Sequence, residues 1–414
     1  MFKCGFFESD ITPPLGYSMP GYFEDRHASS VKDNLYAHAF AFSDGAKTAV
    51  VISLDAILVD KADVAAIRER ISVAAKIDPS CVFVAATHAH TAGPVGDLYN
   101  TYRNDEYCSF MVERAADAGI VALKKMAPAK LGFDSTDVRG IAFNRRWLMK
   151  HGKVETNPPK CSPDIVAPAD VTDSELIVVR IDNEDGTPMG IITNYALHLD
   201  CVGGTEFCAD YPGVMRNIIK TEYGNDIGFM FLNGCCGNIN HVDFINGTKR
   251  TYKEIGATLA SAAIDVFEEI ETSDEIPVNY NSEFITAEIR LPTEEEIANP
   301  TFHKLIAEEM KKALTMGGGE VECEVQSVVL GDLAITGMPG EIFCLFGLMI
   351  KLGSPYKMNI VSELANGNNG YVYTREARKL GGYESTASSY TRLNEEAGYL
   401  MANAGIKNLR GMKK

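Results

Sequence analysis

Apolar and polar positions alternate along this chain in two rhythms, one of period two and one near 3.6. Residues 48–54 are an apolar, β-branched run and predict a strand. Residues 61–75 have helical spacing, 81–86 are a second buried strand, and 105–125 a long amphipathic helix. That order predicts βαβ units and an α/β fold. Strands are expected again at 175–181, 189–195, 228–232 and across 276–290, with a helix at 252–269. Residues 293–316, acidic and then basic, read as a solvated surface helix. Residues 321–330 and 333–336 predict a hairpin around Gly331-Asp332, 342–352 a buried helix and 359–364 a late strand. Residues 153–173, rich in Pro, Ser and Asp, read as a loop or an excursion from the main fold. The expected class is α/β, with mixed β-sheets covered by helices in one large domain over residues 1–405. The Lys-rich residues 406–414 read as a basic tail. A chain of 414 residues also has room for two domains, but no composition shift divides it.

Several strand-like runs stop at a polar or glycine-rich turn. The run 81–86 gives way to Thr87-His88-Ala89-His90, and the run 189–195 leads toward His198. Residues 228–232 lead to Asn233-Gly234-Cys235-Cys236-Gly237-Asn238-Ile239-Asn240. Thr336 leads to Gly337-Met338-Pro339-Gly340-Glu341, and Leu364 leads toward Tyr371. In α/β sheets, ligands bind beyond the carboxyl ends of strands, so these loops are expected to converge. Residues i and i+2 of a strand share a face, which would set His88 and His90 side by side.

A net charge of −17 argues against nucleic acid and anionic membranes as partners. No apolar run is long enough to span a bilayer, and the first residues lack the pattern of a signal peptide. A cytoplasmic location is the expectation. The ten cysteines form no CxxC repeat and are expected to be reduced.

Each candidate has an ordinary reading beside the chemical one. His88 and His90 are a metal or proton-transfer pair, or polar residues ending a strand. His198 alone reads as a core histidine bonded to a carbonyl. Glu341 opens an apolar helix, where a carboxylate suits the helix dipole, or is a metal ligand. Arg145 holds an oxyanion or is solvated, and Asp210 is an N-cap or a base. His241 is a weak candidate after the Gly/Asn turn. His27, His38, His151 and His303 are assigned nothing. Tyr371 and Tyr383 would not be singled out by physics alone.

Taken together, these segments resemble the neutral/alkaline, non-lysosomal ceramidase family. The resemblance rests on Asp10-Ile11-Thr12-Pro13-Pro14, Thr87-His88-Ala89-His90-Thr91-Ala92-Gly93-Pro94, Asn144-Arg145, Asn194-Tyr195-Ala196-Leu197-His198, Pro339-Gly340-Glu341, Gly370-Tyr371-Val372-Tyr373-Thr374 and Tyr383-Glu384-Ser385. It implies a catalytic domain that hydrolyses an N-acyl amide. It implies Zn²⁺ bound by His88, His198, Glu341 and Tyr371, with His90 beside the metal and Arg145 and Tyr383 facing the substrate. The family's serine segment corresponds to residues 235–240, where Asn238 falls near the serine's place. A zinc-activated water is therefore the expected nucleophile, with Asn238 and Asp210 as lesser catalytic candidates. The chain is expected to be a short form without the family's further β domain. The other expectations are a hydrolase of small non-lipid amides or esters, and a non-catalytic metal-dependent binding protein on the same fold.

Overall fold

A computed structural model describes residues 1–299 and 305–413. Eight strands form the larger sheet: β1 Lys3–Asp10, β2 Tyr36–Ser43, β3 Thr48–Leu54, β4 Val82–Ala86, β5 Ala127–Asp137, β6 Glu175–Asn183, β7 Pro188–Tyr195 and β8 Gly228–Asn233. Their order is β8-β7-β6-β5-β1-β2-β3-β4. A second sheet has β9 Val278–Ile289, β10 Gly319–Leu330, β11 Leu333–Gly337 and β12 Met358–Ser362 in sequential order. The helices are α1 Lys61–Ala75, α2 Asp105–Lys124, α3 Asp210–Tyr223, α4 Tyr252–Glu269, α5 Glu294–Ala298, α6 Leu305–Met316, α7 Cys344–Gly353, α8 Arg375–Leu380 and α9 Ala397–Met412.

Period-two alternation assigns each strand face to a different core. In β2, Ala37, Ala39 and Ala41 face α1–α4, while Phe40 and Phe42 face the second sheet. In β10, Val328 and Leu330 point into that inter-sheet core, whereas Val325 and Val329 join Phe346 of α7 and Met401 of α9. The result is four layers, helix–sheet–sheet–helix. Gly190 and Gly228 leave room for Phe40, whose ring would lie about 2.7 Å from a Cβ at Gly190 and 2.8 Å from one at Gly228.

Within these two sheets, three pairs are parallel, as the βαβ pattern predicts: β3 with β4 around α1, β7 with β8 around α3, and β11 with β12 around α7. The larger sheet curls until its edges meet. Ser53 Oγ donates to the Phe231 carbonyl, and Asn233 Nδ2 donates to the Thr87 carbonyl. This closure brings the carboxyl ends of β4, β7 and β8 to one place.

Four expectations need correction. Residues 153–173 contain short strands at Val154–Thr156 and Ile165–Pro168. The expected helix over 293–316 is described as α5 and α6, with residues 300–304 outside the described set, and α6 buries Ile306, Met310 and Ala313. Residues 406–412 are not a tail, because α9 continues through them and buries Asn408 and Leu409. Asp210 is the first residue of α3 rather than its N-cap, which is Ala209. No helix among the described residues is long and apolar enough to cross a membrane.

Candidate metal centre

Beyond the end of β4, the chain no longer follows strand geometry. His88 has a left-handed φ of 75°, an unfavourable conformation for a residue with a Cβ. The loop is held by main-chain bonds: His88 N to the Ala56 carbonyl and His90 N to the Leu199 carbonyl. The two imidazoles therefore converge because of this loop, not because of the strand period that suggested it.

All three site histidines use the same arrangement. Nδ1 of His88 bonds the Ile57 carbonyl at 2.8 Å, Nδ1 of His198 the Cys236 carbonyl at 2.9 Å, and Nδ1 of His90 the Gly21 carbonyl at 3.0 Å. A carbonyl only accepts, so each Nδ1 carries the proton and each Nε2 lone pair points inward. His88 Nε2 is 3.1 Å from His198 Nε2 and 3.2 Å from His90 Nε2. Their ligand atoms lie within 4.8 Å of one another, and this buried cluster could hold a metal ion.

Glu341 completes the geometry. Its Oε1 accepts from Tyr390 Oη at 2.6 Å. Its Oε2 stands 3.3 Å from both His88 Nε2 and His198 Nε2, buried and without a well-formed hydrogen bond among the described residues. Donors about 2.0–2.1 Å from a tetrahedral cation are roughly 3.3–3.4 Å apart. The spacing and the unsatisfied oxygen both fit a cation.

The electrostatics agree. Burial opposes ionisation of Glu341, but His88 and His198 hold its carboxyl well below the usual range. Burial, then Arg145 and His88, pull His198 down to about 4. Burial and the two other imidazoles pull His90 well down. Burial also lowers His88, but the negative charge of Glu341 outweighs it and raises the net value.

Tyr371 lies opposite Glu341 in a two-residue parallel ladder, so both side chains leave the same face. Burial and the Glu341 charge keep its phenol protonated. The Arg145 guanidinium lies 5.3 Å from the Tyr371 ring centre. Arg145 Nε donates to Glu384 Oε1 at 2.7 Å, Nη2 donates to the Gly237 carbonyl, and Nη1 is 3.2 Å from His198 Nε2. Tyr383 pairs its hydroxyl with that of Tyr99 and stacks edge-on against Tyr371. His88, His90, His198, Glu341, Tyr371, Arg145 and Tyr383 thus form one contiguous group.

Asn238 and Asp210 lie in other bonding networks. Asn238 Oδ1 accepts from Cys344 N, and its carbonyl accepts from Arg145 N. Asp210 Oδ2 accepts from the amides of Cys201 and Val202, and burial pushes its carboxyl up to about 7.

Sequence reasoning missed Cys236, Glu363, Glu384 and Tyr390. Cys236 Sγ lies 3.3 Å from His198 Nδ1, on the far side of the ring from the Nε2 cluster. Burial and Glu363 hold its thiol protonated, unlike an activated thiolate. The fully buried Glu363 accepts from Cys236 N, Cys236 Sγ and Ile342 N. One carboxylate thus joins the loop supporting His198 to the loop carrying Glu341. Glu384 binds both Arg145 and Arg146. Its adjacency to Tyr383 was the available sequence signal.

Outside His90, whose ring centre lies 5.6 Å from that of Tyr22, a cleft of about 680 Å³ opens. Tyr22, Phe23, Glu24, Arg26, Asn100 and Leu305 line it.

The model of the family "Neutral/alkaline non-lysosomal ceramidase, N-terminal" matches residues 2–208, half of the chain. Among solved structures, the neutral ceramidase from Pseudomonas aeruginosa superposes with a TM-score of 0.76 at 17% identity, covering 99% of this chain and 74% of that one. A ceramidase complexed with C2 gives 0.74 at 16% identity, with the same coverage. No curated protein matches. Half the chain fits the family model and nearly all of it follows the ceramidase fold, so the protein belongs to the neutral/alkaline non-lysosomal ceramidase family.

Proposed function

We propose that this chain is a zinc-dependent hydrolase of the amide bond of an N-acyl substrate. The observation that carries the reading is Glu341 Oε2, unsatisfied and 3.3 Å from two Nε2 atoms whose rings are fixed by carbonyls on their other side. In this reading His88, His198, Glu341 and Tyr371 hold Zn²⁺. The catalytic unit is residues 1–405 with the remainder of α9. Ten free cysteines fit a reducing, cytoplasmic setting.

When bound, zinc polarises a carbonyl and lowers the pKa of water. The chain's own residues handle the protons and the developing charge. His90 Nδ1 is engaged with Gly21, so Nε2 takes a proton from the attacking water and returns it to the leaving amine. Arg145, held by Glu384 and Gly237, presents a guanidinium where the carbonyl oxygen gains charge, an effect of about 3 kcal/mol per donor. Tyr383 donates to the same oxygen. Cys236, protonated and on the Nδ1 side of His198, is a poor nucleophile, which favours water.

The test is hydrolysis of N-acyl amides by purified protein after chelation and after zinc return. Activity lost and regained supports the reading; activity indifferent to both overturns it.

A second reading, a hydrolase of smaller and more polar amides, is favoured by Glu24, Arg26 and Asn100 around the cleft beside His90. Faster turnover of short-chain than long-chain amides would support it.

A further inference from the structure

We propose that Tyr99 is a positioning residue for the reaction: its hydroxyl donates to Tyr383 Oη, so that the Tyr383 proton points at the substrate oxygen. This rests on the hydrolase reading, in which Tyr383 donates to that oxygen, and adds a residue which that reading does not use.

The backbone at Tyr99 is strained. Leu98 and Thr101 exchange amide–carbonyl bonds of 2.9 and 3.0 Å across the two-residue loop Tyr99-Asn100. Tyr99 has a left-handed φ of 54°, and Asn100 does not share it. Hairpin loops with a positive φ at the first position alone ordinarily carry glycine there. A bulky residue in that place is an outlier, and such strain collects at functional sites.

The turn is also fixed in direction. Asn100 Nδ2 donates to the Phe23 carbonyl at 3.0 Å. The Phe23 ring centre lies 4.6 Å from that of Tyr99 and 6.2 Å from that of Tyr383. Phe23 and Asn100 line the cleft beside His90. The turn therefore carries Tyr99 from the cleft wall to Tyr383, where the two hydroxyls bond.

Proton counting sets the sense of that bond. Each phenol has one proton. If Tyr383 gives its proton to Tyr99, none remains for a carbonyl oxygen that is gaining charge. Donation from Tyr99 leaves the Tyr383 proton available and polarises its O–H bond. The electrostatics have the same sense. Burial raises both phenols, while their shared bond lowers Tyr383 and raises Tyr99.

The test is a double-mutant cycle on zinc-loaded protein: Tyr99→Phe, Tyr383→Phe and the pair together, each checked for a wild-type circular dichroism spectrum. Phe keeps the ring against Phe23 and removes only the hydroxyl. With N-dodecanoylethanolamine, Tyr383→Phe should lower kcat by about 100-fold. Tyr99→Phe should lower it by about five- to tenfold, the effect of one hydrogen bond, with KM within about twofold of wild type. In the Tyr383→Phe background, Tyr99→Phe should lower kcat further by less than about twofold, because no hydroxyl is left to position. Equal losses in both backgrounds, or a wild-type kcat in Tyr99→Phe, overturn the inference. Calorimetry with dodecylphosphonate, a tetrahedral anion that is not turned over, reads the same contact. Tyr99→Phe should weaken its binding by about five- to tenfold, and only while Tyr383 is present. If wild type cleaves no N-acyl amide but shows this coupling, the hydrolase reading fails and the contact stands. If it cleaves the amide and Tyr99→Phe is silent in both assays, the contact fails and the hydrolase reading stands.

Discussion

His88 Nε2 stands 3.1 Å from His198 Nε2, and each ring has its other nitrogen committed to a main-chain carbonyl. Both Nε2 atoms present lone pairs to the same space, and the charge of Glu341 favours protonation of His88 there. That proton competes with a divalent cation for the lone pair. Zinc affinity should therefore fall as pH drops from about 8 to 6, by up to about tenfold per unit. Competition with a chromophoric chelator across that range checks this; an affinity independent of pH contradicts it.

Glu363 ties Cys236 N to Ile342 N through one oxygen, at 3.0 and 2.9 Å. Glu363→Gln should weaken zinc binding by about 10- to 100-fold, as loss of an outer partner typically does. Equilibrium metal titration measures it, with circular dichroism to show that the fold persists. Wild-type affinity in the variant would remove Glu363 from the account.

Arg145 makes a fork to Glu384 and Gly237 that lysine cannot reproduce. Arg145→Lys should lower kcat by about 100-fold, the usual effect of losing one oxyanion donor, with zinc content unchanged. A kcat within a factor of about three of wild type contradicts the role.

Several central strands were legible because they have two apolar faces serving two cores. Val50 and Ile52 against Ala49 and Val51 made β3 readable as a buried strand, whereas β1, β2 and β5 were not anticipated from the sequence. The carboxyl-end rule correctly gathered His88, His198 and Glu341, although the strand period that paired His88 with His90 was not the cause. Glu363 was illegible because a carboxylate after a strand looks solvated until the fold buries it. Asn238 drew attention by its alignment near the family serine, while Cys236 is the side chain at His198. The end of α9 was hidden by its basic composition, since Lys407 lies on the outer side while Leu409 packs inward.

Glu8 faces His38 at 3.3 Å and pairs with Lys220. Burial opposes its ionisation, but these partners lower its carboxyl from 4.5 to about 2. A lowered carboxyl pKa adds stability that is present above about 4.5 and lost as pH falls through about 2. Glu8→Gln should cost about 3 kcal/mol at neutral pH and flatten the wild type's loss of stability between those values. Urea unfolding at several pH values checks it; parallel curves contradict it.

The central claim is that His88, His198 and Glu341 hold one zinc ion. The direct measurement is metal content by mass spectrometry after equilibration with limiting zinc, on wild type, His88→Ala and Glu341→Gln. One zinc per wild-type chain, with either variant losing most of it while staying folded, is the predicted result. A wild-type chain without stoichiometric zinc, or variants that retain it, would contradict the account.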